Sequence, residues 1–469
     1  MRKTAIFGAA FLLACALPAL AHETQSTPST QGNLPRTRQD SASLAQRVVY
    51  RGATLIDGTG AAARANMSIV VEGDTIIAIG PAHADIAAAQ GAKAVDASGL
   101  FVLPGLIDTH VHLATPPDQA QAKATLRRYL YSGITAVRSM ADDARAVGEL
   151  AREARVGEIP SPDIYYTALM AGPSFFDDPR TISVTRGGVP GKVPWMQAIT
   201  EDTDLPLAVA MARGTSATAI KLYANLPGDL VVRITREAKR QGLRVWAHSA
   251  VFPAMPADDV EAGVDAMSHV CPIAYQVSAR QPQSYQERTA VDASAFEKGD
   301  NEQIGILFRE MKRRGIVLDA TVRVQRESER EYAKNGQGRP PRCGSALTYR
   351  LAAQAYREGV PISAGTDGDT DWQAPYPALH EELELLANQV GMPPLQVIRS
   401  ATQIGAMAAG QDKLMGTIET GKLANLVFVT RDPLADIGNL RSVAFTVKRG
   451  IVFARNDYAP ITQEEHGAP

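Results

Sequence analysis

Near the start of the chain, apolar residues come in short β-branched runs. VVYRGATL and MSIVVEGDTIIAIG are broken at Gly-Thr and Gly-Asp, a texture that predicts hairpins. GTIETGKLANLVFVT and SVAFTVKRGIVFARND repeat that texture towards the other end. Chain ends commonly lie close together, so the two regions, 47–100 and 412–456, are expected to build one small β-sandwich. Between them the pattern changes. Eight short apolar runs alternate with helical periodicity: GLIDTHVHL, ITAVRSM, DIYYTAL, ATAIKLY, RVWAHSA, VDAMSHV, GIVLDATV and VPISAGTD. Amphipathic stretches such as LVVRITREAKRQG and IGILFREMKRRG separate them. Eight β/α units are the number of a closed parallel barrel, so 101–411 is expected to be a (β/α)8 TIM barrel in an α/β chain. Two long irregular stretches, 171–200 and 274–300, follow the third and sixth strands. Barrel sites lie at that face, and long insertions in compact domains are usually functional.

Chemistry gathers at the strand ends. In FVLPGLIDTHVHL the alternation of a strand puts His110 and His112 on one face, with Val111 opposite, so the two imidazoles can reach one metal ion. Strand four carries Lys221, strand five ends at His248, strand six at His269 and strand eight at Asp367. Four of the eight histidines therefore sit at ends that a barrel brings together. A lone histidine in such a strand reads as a satisfied core residue; four of them, with a terminal Asp, read as a metal centre.

Composition narrows the partners. Lys and Arg total 48 against 50 Asp and Glu, a net charge of −2, and aromatics are 6%. No basic footprint or stacking platform for nucleic acid is present, so a small-molecule substrate is expected. A hydrophobic fraction of 45% over 469 residues supplies a large core. Arg2-Lys3, the apolar run after them and Ala19-Leu20-Ala21 read as a signal peptide over 1–21, which places the body of the protein in the periplasm or outside the cell. Leu12-Leu13-Ala14-Cys15 offers the alternative of a lipoprotein anchored at Cys15. No integral membrane segment is expected once the signal is removed, and a homo-oligomer stays open. Residues 22–46 read as a disordered linker and 457–469 as a flexible tail. Two cysteines remain, Cys271 and Cys343. A disulfide is open to them in an oxidising compartment, but two reduced thiols are the preferred reading.

The ordered set PGLIDTHVHL, SGITAVRSM, AIKLY, WAHS, GVDAMSHV, SAGTD, LHEELELL, PLQVIRSATQIGAMAAG and GTIETGKLANLVFV resembles the amidohydrolase superfamily, in its imidazolonepropionase-like, binuclear dipeptidase-like branch. The resemblance implies two zinc ions per chain. His110 and His112 would hold one together with Asp367, and His248 and His269 the other. Lys221, carboxylated by carbon dioxide, would bridge them. A physical reason stands beside this: an ammonium among metal ligands is repelled and poorly solvated, whereas a carbamate is an anion with two oxygens. Asp367 would pass a proton from water to the leaving amine, unless it merely caps a helix. Tyr223, on the strand face of Lys221, either contacts the substrate carbonyl or packs. Arg138 either binds a substrate carboxylate or braces a loop, with Arg180, Arg186 and Lys192 of the 171–200 loop as further cations. His380 either lines the pocket or caps a helix.

Three departures from the family pattern stand out: Ser139 where many relatives carry Asp, Asn425 in place of a common Asp, and no histidine pattern near Ala171-Gly172-Pro173. The expected activity is hydrolysis of an amide C–N bond in N-acyl amino acids or dipeptides. The alternatives are cyclic amide, lactone or phosphoester hydrolysis at the same site, a single-metal deaminase, which Lys221 argues against, and a non-catalytic binding barrel.

Overall fold

A computed structural model describes residues 47–84, 86–287, 289–335 and 340–467. The signal peptide and linker expected over 1–46 lie outside the described residues. All eight expected barrel strands are present: Leu106–Val111, Ile134–Ser139, Asp163–Ala171, Ala219–Leu222, Arg244–His248, Ala266–Ser268, Val317–Asp319 and Ile362–Ser363. Each pairs in parallel with the next. Thr109 N donates to Ala364 O at 3.0 Å and Asp367 N to His110 O at 2.9 Å, joining the last strand to the first. The strands are buried along almost their whole length, which is why they read as nearly continuous apolar runs.

The outer helices follow the periodicity. Gly228–Arg240 buries Leu230, Val231, Ile234 and Ala238 on one face. Glu302–Arg314 starts where Asn301 accepts the N–H groups of Gln303 and Ile304, and stops at Gly315, whose φ of 70° suits glycine.

A second sheet of eight strands contains residues from both ends of the chain. Its order runs Ile451–Ala454, Val443–Lys448, Leu426–Val429, Phe101–Pro104, Arg47–Leu55, Arg64–Glu72 and Thr75–Pro81, with Lys93–Asp96 beside Arg47–Leu55. Its own core stacks Phe428 on Phe445 at 4.4 Å, with Tyr50 5.0 Å from Phe428. The apolar run that leads to the histidines is thus shared. Phe101–Pro104 belongs to this sheet, and Leu106–Val111 to the barrel. Gly105 makes the crossing because a Cβ there would collide with the Thr135 side chain. Asp163 ties the two bodies further, with Lys448 Nζ at 3.0 Å and Arg449 Nη2 at 2.8 Å.

Two expectations change. Residues 457–467, expected as a flexible tail, carry the short helix Gln463–His466, capped by Thr462. Glu465 pairs with Arg127 at 2.7 Å and His466 stacks on Trp372 at 5.0 Å. Cys271 and Cys343, preferred as free thiols, form a disulfide with their Cα atoms 6.2 Å apart. The turn after strand six and the loop before helix Ser345–Glu358 bring them together, a proximity that a separation of 72 residues hides. Among the described residues no helix is long and apolar enough to cross a membrane.

Candidate metal centre

The C-terminal ends of the strands converge as the alternation of strand one demands. His110, fully buried, donates or accepts through Nδ1 at 2.8 Å from Asp319 Oδ2. Its Nε2 is buried without a hydrogen-bond partner among the described residues. Asp367 Oδ1 lies 3.3 Å from that nitrogen and 3.2 Å from His112 Nε2. Asp367 Oδ2 lies 3.7 Å from His269 Nε2. The His269 ring is 4.9 Å from that of His110 and 4.8 Å from that of His248. Lys221 is buried, and its Nζ stands 5.1 Å from the centre of the Tyr223 ring. His110, His112, Lys221, Tyr223, His269 and Asp367 all line one cavity of about 110 Å³. His248 adjoins it through His269.

The local backbone is strained to make this possible. His269 at φ 76°, Asp367 at φ 48° and Thr321 at φ 48° are non-glycine residues in the left-handed region. Each costs on the order of 1–3 kcal/mol, a burden that concentrates at functional sites. Asp367 is not a helix cap: the next helix begins at Leu379.

The donors suit a divalent metal. Burial lowers the His110 imidazole to about 3 and holds His248 and His269 below their usual value, so all three imidazoles are neutral at pH 7 and free to donate a lone pair. Burial also opposes the charged form of His112, but the neighbouring carboxylates of Asp142 and Asp367 outweigh it and raise the imidazole to about 9. For Lys221, burial outweighs Asp367 and Asp319 and brings the amine down to about 8, leaving a reactive neutral fraction near neutrality. Neutral imidazoles, a carboxylate and an orphaned buried nitrogen fit zinc-type coordination.

The groups that hold these side chains were not singled out in the sequence. Asp319, at the end of strand seven, accepts from Thr109 Oγ1 at 2.8 Å, Ser268 Oγ at 2.8 Å and Arg138 Nη2 at 3.2 Å, besides meeting His110. An acidic residue inside the apolar run GIVLDATV was the available signal. Asp142 lies 3.8 Å from His112 Nδ1 and accepts from Ser139 Oγ, so the Ser at 139 has a role although a carboxylate is missing there. Thr321 Oγ1 holds His269 Nδ1 at 2.8 Å.

Arg138 and His380 are corrected. Arg138 is fully buried, donates to Thr109 O at 2.7 Å and to Ala408 O at 3.3 Å, and stacks 4.3 Å from the Trp246 ring. It braces the barrel interior and cannot meet a substrate. His380 is buried against the end of helix Gln119–Tyr131, with Nε2 3.1 Å from Ser132 O and the Tyr376 ring 5.3 Å away. The two long insertions do meet over the cavity. Phe175, Arg180, Thr181 and Val184 line it, and Tyr285 OH lies 3.2 Å from Tyr223 OH. Gly172 permits the crossing, since a Cβ there would strike the carbonyl of Asn225. Arg186 and Lys192, the other cations of the 171–200 loop, are exposed and do not line the cavity.

The amidohydrolase family model matches residues 101–452. An N-acyl-D-aspartate deacylase from Alcaligenes xylosoxydans xylosoxydans is 42% identical over 77 residues, 16% of this chain and 14% of that protein. A dihydroorotase from Citrifermentans bemidjiense is 44% identical over 52 residues, 11% of this chain and 12% of that protein. The alignments thus span only a small part of these curated relatives. Among solved structures, a Xaa-Pro dipeptidase with bound methionine in its active site has a TM-score of 0.66 at 21% identity, covering 87% of this chain and 100% of that one. An ochratoxinase from A. niger has a TM-score of 0.68 at 21% identity, covering 87% and 96%. At such identities the likeness is one of fold.

Proposed function

This chain belongs to the amidohydrolase family, and from that premise we propose that it is a binuclear metal-dependent hydrolase cleaving the amide bond of N-acyl amino acids or dipeptides. The observation that carries the reading is the His110 Nε2, buried without a hydrogen-bond partner among the described residues and facing the same carboxylate as His112 and His269. A buried polar atom left without a hydrogen bond calls for an explanation, and a metal ion joining this nitrogen to the carboxylate supplies one. His110 and His112 with Asp367 would hold one zinc ion, and His248 and His269 the second. The neighbours fit in kind: one is named an N-acyl-D-aspartate deacylase and another a Xaa-Pro dipeptidase.

The ions would supply an acidified water and Lewis-acid polarisation of the scissile carbonyl. The rest falls to the chain. Asp367, with one oxygen near His110 and His112 and the other near His269, accepts the proton of the attacking water and returns it to the leaving nitrogen. Asp319 and Thr321 fix the His110 and His269 rings from behind, which sets their orientation and basicity. Lys221, buried and with its amine brought down to about 8, is the residue that would add to carbon dioxide with release of one proton, and the resulting carbamate would supply anionic oxygens to the metal centre. Tyr223 stands beside it to donate to the substrate carbonyl oxygen. The disulfide, the reading of 1–21 as a signal and the absence of a basic footprint favour a periplasmic or secreted enzyme acting on small molecules.

The test combines zinc per chain by elemental analysis with native mass spectrometry. Two zinc ions and a 44 Da increment on Lys221 are expected, and Lys221→Ala should lose metal together with amide hydrolysis. A fully active Lys221→Ala protein still holding two zinc ions per chain would sink the bridged centre. Failure of the zinc-loaded protein to cleave any member of a broad N-acyl amino acid and dipeptide library would sink the amide reading.

A further inference from the structure

With Arg138 withdrawn into the barrel interior, Arg180 is the cation that lines the metal cavity from the insertion after strand three. On the reading that the chain hydrolyses amides, we propose that Arg180 and the Tyr285 hydroxyl form the subsite for the substrate's free carboxylate. The preferred substrates are then N-acyl or peptidyl amino acids with an apolar side chain and an unblocked C-terminus.

The geometry is built in advance. Arg180 Nε and Nη2 donate to Asp178 at 3.0 and 2.8 Å, and Nη2 donates to Tyr285 OH at 3.2 Å. None of these bonds uses Nη1. Asp178 therefore orients the fork while leaving an edge of it to a second anion. Tyr285 OH lies 3.2 Å from Tyr223 OH, so a guanidinium and two phenols form a line of donors from the rim to the neighbourhood of Lys221. Tyr285 is itself held. Its backbone N–H donates to Asn225 Oδ1 at 2.7 Å, and Arg342 lies 4.9 Å over its ring. Burial opposes ionisation of Tyr285, yet the Arg180 charge brings it below the usual phenol value, so that charge reaches the hydroxyl.

Arg180 and the residues of the metal centre line the same cavity, so a carboxylate held at Arg180 leaves the adjoining amide on the side of that centre. Phe175 packs 4.8 Å from Tyr223 and 5.8 Å from Tyr285, and Val184 and Met196 line the same cavity.

The test uses the zinc-loaded protein with the common N-acetyl-L-amino acids and their C-terminal carboxamides, measuring hydrolysis and, by calorimetry, binding. Free acids should be preferred over carboxamides by about 10²-fold in kcat/KM, the range of a charge-assisted contact. Arg180→Gln should remove that preference by raising KM for the free acids, with zinc content unchanged. Its side chain is 54% exposed, so the variant removes no buried group. Tyr285→Phe should weaken the preference in the same direction. Hydrolysis without an acid preference, or a preference that survives Arg180→Gln, overturns the subsite and leaves amide hydrolysis standing. Arg180-dependent binding of the acids without cleavage of any amide supports the subsite and removes the hydrolytic reading. If no member of the panel is bound or cleaved, the subsite is overturned as well.

Discussion

Replacing Asp319 by Asn tests whether the carboxylate behind the histidines acts through its charge. Oδ2 meets His110 Nδ1 at 2.8 Å, Ser268 Oγ at 2.8 Å and Arg138 Nη2 at 3.2 Å, while Oδ1 accepts from Thr109 Oγ1 at 2.8 Å. An Asn side chain can place its oxygen where Oδ2 stands, and its amide can donate to the Thr109 hydroxyl. The hydrogen bonds survive in outline, and the charge alone is lost. Arg138 is then a fully buried cation without an anion, a situation that costs about 3–5 kcal/mol; retention of the hydrogen bonds argues for the lower end, about 3 kcal/mol. Unfolding entropy is roughly 1 kcal/mol/K for 469 residues, so the melting temperature should fall by about 3 °C. The second effect is on the metal. His110 donating to a neutral amide oxygen is a less basic ligand, and loss of such partners lowers metal affinity by about 10–100-fold. Calorimetry gives the melting temperature, and competition with a chromophoric chelator gives the zinc affinity. An Asn variant with unchanged melting temperature and unchanged zinc affinity would show that the charge of Asp319 does neither job.

Three other outcomes are expected. Asp367→Asn should retain most zinc and lose at least about 10²-fold in turnover, because the amide cannot carry a proton; near wild-type turnover with intact metal would remove Asp367 from proton transfer. Closing a loop of 72 residues is worth about 4 kcal/mol in the chain-entropy model, so dithiothreitol should lower the melting temperature, and a paired Cys271→Ser, Cys343→Ser protein should melt low with or without it. A thiol titration of the unfolded, unreduced protein that finds both sulfhydryls free would contradict this. Burial alone would raise the Asp163 carboxyl, but Lys448 and Arg449 outweigh it and hold it well below the usual range. A carboxyl depressed in the folded state stabilises above its unfolded value near 4 and ceases to do so as the pH falls through its folded value. Stability should therefore decline below about pH 4, and Asp163→Asn should flatten that decline; a variant with the wild-type acid profile would refute the link.

The barrel, its eight strands and the residues at their ends were legible in the sequence because each depends on a local rule. Alternation puts His110 and His112 on one face whatever surrounds them, and the parallel architecture then brings the ends of strands four, five, six and eight to the same mouth. What each side chain meets is not local. Arg138 sits on the strand that SGITAVRSM predicts, yet whether it reaches a substrate or the barrel interior is decided by Asp319 and Ala408, 181 and 270 residues away. His380 opens the expected helix and is turned from the site by its packing against Ser132. The pairing of Cys271 with Cys343, the meeting of Arg180 with Tyr285 and the docking of Glu465 on Arg127 all join segments that are distant along the chain. Hydrophobic periodicity constrains which face of an element is buried; the partner on that face is chosen only when the elements pack, and there the charges of this site were assigned.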